Sequence, residues 1–403
     1  MKTKAALHLG LLLICSSLGM AAEEPNSLVS ALTNGDISLD VRARAEFVDQ
    51  DGLDSANAFT ERARLGYGTR PYYGFTFFLE YEDIRALDDD RYNIPTLNPH
   101  PAKAVINDRP DTELNQAFVK YRGDQFEMVT GRQRIILDDA RFIGNVGWRQ
   151  NEQTYDAVSL KTKLFGSVDV YYAYLWEVNR IFGPSAALDF QSNTHLINVS
   201  RPFDNIGTFT AFAYLLDFDN SPANSSNTYG IRYVGTFDID KDVSVEPIVS
   251  FARQVDAGPN PTNYAADYVL AQVSFKKEAG GTAGGGYELL GTDSGMAAFA
   301  TPLATAHAMN GWADAFLTTP ATGLQDYFIF AGTTLPYEIT GKALFHWFTS
   351  QQGNTDFGNE LDIVFGKAFS SRVNGLVKFA TYDGDAGYPD TMKFWVQSEI
   401  KIK

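Results

Sequence analysis

The side chains best suited to chemistry in this sequence are arginines in two short N-terminal segments. Arg42 and Arg44 are separated by one residue, and so are Arg62 and Arg64. An arginine side chain stays protonated and presents a planar fork that can hold a carboxylate through two hydrogen bonds. These groups could bind an acidic solute, or they could pair with carboxylates of the same chain. Glu80 and Glu82, in the next segment, are candidates for such pairing.

A second concentration of arginines lies between residues 131 and 160, in a polar stretch punctuated by glycine. Trp148 could stack on a sugar ring or pack against the protein itself. The aspartates of this stretch are best interpreted as partners of its arginines rather than as catalytic acids. The candidate residues here are Arg132, Arg134, Arg141, Arg149, Trp148 and Asp156.

An enzymatic function has little support in the sequence. His100, His195, His307 and His346 lie outside any G-x-S-x-G motif, and no two of them have metal-ligand spacing. The run of aspartates at 88–90 lacks the spaced pattern of a calcium loop, so a solvated loop is the better interpretation. We therefore expect no catalytic residue, no metal and no cofactor.

The N-terminus has the organisation of a secretory signal peptide. Lys2 and Lys4 precede an apolar run from Ala5 to Ile14, and small residues lead to Ala22. Cleavage there would remove residues 1–22, including Cys15, the single cysteine, and would change the net charge from −16 to −18. Such acidity disfavours nucleic acid as a partner. Residues 23–403 are expected to form one domain.

The rest of the chain alternates between apolar and polar residues, which is typical of strands with one apolar and one polar face. About eighteen segments have this pattern, each long enough for a tilted strand that crosses an outer membrane. The predicted strands are 36–48, 59–70, 73–84, 112–122, 124–135, 153–163, 167–178, 192–201, 206–217, 227–238, 242–254, 264–276, 280–290, 324–333, 338–350, 359–369, 372–382 and 390–402.

The connections between these segments alternate strictly between short and long. This pattern is typical of a transmembrane antiparallel β-barrel, which has short periplasmic turns and long extracellular loops. A soluble β-sandwich is the alternative, but it has no reason to place its long loops at one end. We therefore predict an all-β barrel in the outer membrane of a Gram-negative bacterium.

Several long motifs are similar to those of a known family. The stretch GRQRIILDDARFIGNVGWRQNEQTYDAV, with DTELNQAFVKY before it and MNGWADAFLTTPATGLQDYF far downstream, resembles the alginate-export family of outer-membrane porins. The resemblance implies an eighteen-stranded monomeric barrel whose arginine-rich constriction selects an acidic polysaccharide. The chain departs from that expectation in its strong acidity and in ending with Lys403 rather than an aromatic residue.

The expected function is passive passage of anionic or polar solutes, with an acidic polysaccharide such as alginate as one possible permeant. The alternatives are a general or cation-leaning porin, a structural barrel plugged by its own loops, and a barrel hydrolase. The expected partners are outer-membrane lipid, an anionic saccharide or small polar solutes and, for an export role, periplasmic export components. Mixed faces in 124–135 leave open whether Arg132 or Gln133 faces the lumen, and the sequence does not decide whether loops 85–111, 136–152 and 291–323 enter it.

Overall fold

Alternating residues build eighteen long strands, here labelled β1 to β18 in chain order. A computed structural model describes residues 27–278 and 280–403; the predicted signal peptide, residues 1–22, lies outside them. The strands span Asp36–Gln50, Ala56–Gly68, Phe75–Ala86, Asp111–Arg122, Phe126–Gln133, Thr154–Leu164, Val168–Asn179, Phe190–Phe203, Gly207–Leu216, Ser226–Val234, Val243–Asp256, Ala265–Lys277, Thr282–Leu290, Leu324–Leu335, Ile339–Thr349, Asp356–Ala368, Val373–Gly384 and Thr391–Ile402.

The strands form one closed antiparallel barrel. Each pairs with its neighbours in sequence, and β1 closes the ring by pairing with β18, from Leu39 opposite Ile402 to Gln50 opposite Thr391. A two-residue strand, Phe237–Asp238, pairs with β11 as the nineteenth member of the sheet. Closure leaves no edge strand, so the backbone N–H and C=O groups of β1 and β18 are hydrogen-bonded to each other. Such pairing is required in the hydrocarbon of a membrane, which offers no water to these groups. The predicted transmembrane barrel is therefore confirmed.

The two faces of each strand differ as the alternation predicts. On β18, Met392, Phe394 and Val396 are exposed on the outer face, whereas Lys393 and Trp395 are buried towards the lumen. Aromatic rings line the outside near the periplasmic turns, as in the group formed by Phe75, Tyr121 and Phe126. An apolar outer band with aromatic girdles is the surface that a barrel presents to lipid.

Helical structure is short and confined to the N-terminal end and the connections. The helix α1, Leu28–Thr33, is capped by Ser27, whose hydroxyl accepts a hydrogen bond from the backbone N–H of Ser30 at 3.1 Å. Among the described residues, no helix has the length and apolarity needed to cross a membrane. The 3-10 turns are Asp89–Arg91, Pro184–Ala186, Pro222–Asn224, Ala306–Ala308 and Pro336–Glu338.

Two of the long connections fold into the barrel, and the end of a third, the loop between β3 and β4, reaches the inner face of the wall through Asp108, 3.3 Å from Arg44. We name residues 134–153 the first inward loop and residues 291–323 the second inward loop. Phe142 of the first loop packs against Phe212 and Tyr268 of the wall, with ring centroids 5.1 Å apart in both pairs. Phe142 also contacts Phe299 of the second loop at 5.9 Å. The apolar core of the protein therefore lies inside the barrel, between the inward loops and the wall.

The strand β5 is shorter than the predicted 124–135 because the chain leaves the wall at this point. Pairing with β4 stops at Arg132 opposite Ala117, after which the first inward loop begins. Gly131 has a φ of +116°, a conformation that L-residues with a side chain rarely adopt. A Cβ atom there would lie 2.3 Å from the carbonyl oxygen of Ala117.

Replacing Gly131 by Ala should destabilise the barrel by about 1–3 kcal/mol, since both the backbone angle and the contact with Ala117 oppose a methyl group. The free energy of unfolding in urea, measured in lipid vesicles, tests this. Gly166→Ala is the control, because Gly166 also has positive φ but nothing lies within 4 Å of its Cβ position. Equal losses in the two variants would contradict the role given to the contact with Ala117.

Candidate functional site

The inward faces of β1 and β2 bring four arginines together. Arg42 lies directly opposite Arg62 in the register, and Arg64 lies opposite Asp40. Because residues on one face of a strand are two apart, Arg44 and Arg64 point to the same side as this pair. We call Arg42, Arg44, Arg62 and Arg64 the arginine patch.

Carboxylates from adjoining strands neutralise much of the arginine patch. Arg62 donates to Asp40 at 2.8 Å and to Glu399 of β18 at 3.3 Å, and Glu399 also accepts from Arg42 at 3.0 Å. Arg64 pairs with Glu82 of β3. These contacts place the patch in an ion-pair network of the wall, which is one of the two roles that the sequence left open.

The first inward loop and the loop between β3 and β4 supply further acceptors of the patch. Arg42 donates to the backbone carbonyl oxygens of Gly147 at 3.1 Å and Arg149 at 3.2 Å. Arg44 donates to the carbonyl oxygen of Trp148 and pairs with Asp108 of the preceding loop at 3.3 Å. The guanidiniums therefore attach this loop to the wall.

Arg134 is the inward candidate arginine with the most open side chain, at 32 % exposure against 11 % for Arg42. It donates to Glu152 at 2.7 Å and to Glu80 at 3.2 Å. Burial alone would raise the pKa of Glu152, but Arg134 and Arg64 outweigh it and hold the pKa well below the usual range. Arg134 is thus the most open of the inward candidate arginines, although it is paired with two carboxylates.

Arg149 joins the two inward loops to the wall. Its guanidinium donates to Glu46 of β1 at 3.1 Å and to Asp314 of the second inward loop at 3.1 Å. Arg141 makes a comparable bridge, because it lies 2.9 Å from Glu288 of β13 and donates to Asn310 at 2.9 Å. Both arginines are buried, and burial without these acceptors would be costly.

Trp148 packs inside the barrel rather than offering a free face to a sugar. Its ring stacks on His307, with centroids 4.8 Å apart and an interplanar angle of 9°. The ammonium of Lys378, on β17, lies 4.0 Å from the Trp148 ring centroid and 3.8 Å from that of Trp312. Because Trp148 and Trp312 belong to different loops, this lysine links both of them to the wall through cation–π contacts.

His307 is held as a neutral imidazole. Its Nε2 lies 2.6 Å from the Lys378 ammonium and must accept, so Nδ1 carries the proton and donates to Asp314 at 2.6 Å. Burial lowers the pKa of His307 well below its ordinary value, Lys378 lowers it further, and Asp314 opposes the change. Burial alone would raise the pKa of Asp314, but His307, which donates to it, and the nearby Lys393 and Arg149 outweigh burial and keep the pKa well below its usual range.

Arg132 and Asp156 lie apart from the rest of the candidate site. Arg132 sits opposite Asp156 in the register, on the face that carries exposed Met128, and donates to Asp156 at 2.7 Å. Gln133, on the other face, donates to the carbonyl oxygen of Ala157 inside the wall at 3.1 Å. The structure therefore places Gln133, and not Arg132, towards the lumen.

Three inward lysines near the periplasmic end were not predicted from the sequence. Lys120, Lys161 and Lys342 lie on the inner faces of β4, β6 and β15, as their register partners Thr76, Glu127 and Val364 show. In the part of the chain that the structure describes, none of the three forms an ion pair. Strand parity alone could have identified them, since each is two residues from another inward position.

The site has no arrangement typical of metal chemistry. Within residues 27–278 and 280–403, no group of three or more His, Cys, Asp or Glu side chains could hold a metal ion. The inward side chains of the site are instead charged groups that pair with one another.

A closed barrel with an apolar outer band, a charged lumen and inward-folded loops is the architecture of an outer-membrane porin. The chain belongs to the alginate export family, whose model matches residues 34–242. That range includes the arginine patch and the first inward loop. No curated protein matches the sequence.

Solved outer-membrane channels share the fold at low sequence identity. OccAB4 of Acinetobacter baumannii is 13 % identical, with a TM-score of 0.71 over 91 % of this chain and 98 % of that one. OccK9 (OpdG) of Pseudomonas aeruginosa is 12 % identical, with a TM-score of 0.72 over 93 % and 100 %. OpdK of the same organism, solved with vanillate, is 12 % identical, with a TM-score of 0.71 over 91 % and 98 %. The fold and the outer-membrane location predicted from the sequence are thereby confirmed.

Replacing Arg149 by Met should loosen both inward loops. The buried carboxylate of Glu46 would lose the cation that donates to both of its oxygens. The cost of a broken buried pair is about 3–5 kcal/mol. Single-channel current noise and cleavage of the loops by proteinase K should both increase. The double variant Arg149→Met with Glu46→Met should recover much of the loss, whereas Arg253→Met, in an exposed pair with Asp267, should have no effect. A double variant as noisy as the single one would argue against the buried-charge explanation.

Acidification should weaken the attachment of the second inward loop. A group whose pKa is lower in the folded state contributes stability that is lost as pH falls below its unfolded value, about 6.5 for histidine and about 4 for the carboxylates. Between pH 7.5 and pH 5, His307 is therefore the main contributor, with Asp314 and Glu152 adding only in stronger acid. Current noise should rise over this interval in the wild type and change less in His307→Asn, which keeps a donor towards Asp314. The same pH response in both proteins would contradict this assignment.

Proposed function

We propose that the protein is a passive outer-membrane channel for small polar solutes, with a preference for anions. The observation that carries the anion preference is the set of inward lysines, Lys120, Lys161 and Lys342, for which no ion pair occurs among the described residues. Unpaired cations raise the local concentration of anions, whereas paired ones largely cancel. Arg134, whose side chain is 32 % exposed, adds to the same preference.

The inward loops favour small solutes over a polymer. The two loops hydrogen-bond to each other inside the lumen, from the Gly144 N–H to the carbonyl oxygen of Leu303 at 2.8 Å and from the Thr305 N–H to that of Ala140 at 3.0 Å. A polysaccharide would have to displace these contacts, whereas a small solute only has to pass beside them. An acidic polysaccharide such as alginate is the second candidate, because the family match covers the arginine patch.

The arginine patch has a structural role in this proposal. Its members hold the first inward loop and meet carboxylates or carbonyl oxygens, so they shape the constriction without presenting free charge. Trp148, Arg141 and Arg149 act in the same way. The net charge of −18 that residues 23–403 carry, which is the −16 of the whole chain less Lys2 and Lys4, would favour cations only if the acidic side chains faced the lumen without partners. Residues 23–403 are the mature channel in this proposal, after removal of the signal peptide.

Planar-bilayer recordings in a KCl gradient test the preference. The wild type should show a reversal potential of the sign expected for chloride, and Lys120→Gln, Lys161→Gln and Lys342→Gln combined should move it towards zero. Arg134→Gln should act in the same direction, because its charge faces the narrow region. Arg253→Gln, on the outer face, is the matched control.

The competing functions give different recordings. A cation-directed potential in the wild type would overturn the anion preference while leaving a porin. Absence of conductance would indicate a plugged barrel. Block by uronate oligomers, without any block by single uronate residues, would favour the polysaccharide.

A further inference from the structure

A cavity opens on the extracellular side of the constriction, between the inward loops and the loop that follows β7. Its volume is about 230 Å³. Its lining combines polar and apolar side chains, and the larger apolar ones are Val146, Ile181, Phe182, Phe190, Pro302 and Leu317. The arginine patch does not take part in it.

One guanidinium of this cavity has no carboxylate partner. Arg180 lies over the rings of Phe182 at 4.8 Å and Phe190 at 4.4 Å, and its polar contact is with the carbonyl oxygen of Leu188 at 3.5 Å. Asp189 accepts from the backbone N–H of Arg180 at 2.7 Å, and among the described residues no ion pair involves the guanidinium. Arg180 therefore retains donors for a further acceptor.

The other charged groups of the cavity are satisfied by one another. Arg149 donates to Asp314 and Glu46, and Asp314 also accepts from Lys393 at 2.7 Å and from His307. Their charges are shared within the network that holds the loops. The charge that the cavity offers to a ligand is therefore that of Arg180.

We propose that this cavity binds a small organic anion with one compact apolar body, such as a single-ring carboxylate. The carboxylate would accept from the Arg180 guanidinium in a bidentate contact, and the apolar body would pack against Phe182, Ile181 and Leu317. The site rests on the proposed function, because its occupant is an anionic solute on its way through the channel.

The lining disfavours other ligand classes. A sugar would desolvate those of its hydroxyl groups that face Phe182, Ile181 and Leu317, and desolvated polar groups weaken binding. A cation would meet Arg180 as a like charge. Inorganic anions would use the guanidinium but would gain nothing from the apolar walls.

Equilibrium dialysis of the full chain in detergent micelles tests the site with four probes. Benzoate and cyclohexanecarboxylate should bind, acetate should bind at least about tenfold more weakly because it lacks the apolar body, and benzyl alcohol should bind weakly because it lacks the charge. Arg180→Ala should reduce benzoate affinity by about tenfold or more. Phe182→Ala and Leu317→Ala should reduce benzoate affinity but leave that of acetate unchanged.

Arg201→Ala is the matched control. Arg201 also stacks on a phenylalanine ring, Phe203 at 4.7 Å, and forms no ion pair among the described residues, but it lies at the periplasmic end of β8. Its replacement should leave benzoate binding unchanged. Equal losses in Arg180→Ala and Arg201→Ala, or equal affinities for benzoate and acetate, would overturn the site.

The proposed cavity site and the proposed channel function can be contradicted independently of each other. If benzoate does not bind but the reversal potential in KCl still shows anion preference, the cavity assignment is wrong and the proposed function stands. If benzoate binds but the KCl recordings show no conductance, the site exists in a barrel that is not a channel, and its role as a step on the permeation path is overturned. Binding together with benzoate-dependent reduction of the KCl current, lost in Arg180→Ala, supports both.

Discussion

The structure depends on one constraint, which is that an arginine inside a barrel keeps its charge and must find acceptors. Arg42 and Arg44 lie where the wall alone offers too few oxygens, and the first inward loop and the loop before it supply the rest. The loop in turn has backbone carbonyls that water cannot fully reach. Each partner satisfies the other, so the conformation of the loop and the charge of the wall are determined together.

This mutual requirement changes the meaning of an arginine-rich constriction. An arginine that already donates to a carboxylate and a carbonyl has little left to offer a solute. In the proposed channel, the field in the lumen is set by cations that form no ion pair among the described residues, such as Lys120, Lys161 and Arg180, and by the partly open Arg134. The number of arginines in the sequence therefore overstates how strongly the arginine patch attracts acidic solutes. It also gives no sign of the attraction that Lys120 and Lys161 exert.

The sequence predicted the barrel well because strand alternation is a local property. Segments such as 36–48 and 390–402 matched the observed strands within two residues at each end. The alternation also placed Arg42 and Arg62 on one inner face. It failed to decide between Arg132 and Gln133, because β5 ends just beyond Gly131 and its last residues belong to both the wall and the loop.

The paths of the inward loops depend on contacts that no local pattern contains. Arg149 meets Asp314, and Trp148 meets Trp395, across more than a hundred residues of chain. Their pairing is decided by which side chains the closed barrel brings together, and the sequence shows only that both loops are rich in groups able to pair.

Along the axis, the described residues leave several cations at least partly open, and these cations lie in series. Arg180 lies in the outer cavity, Arg134 in the narrow region with part of its charge still open, and Lys120, Lys161 and Lys342 near the periplasmic end. Moderate sites in sequence let an anion enter and still leave, which a single strong cluster would prevent. Because the inward loops and the wall carboxylates neutralise the arginine patch, the patch does not bind anions so tightly that they cannot leave.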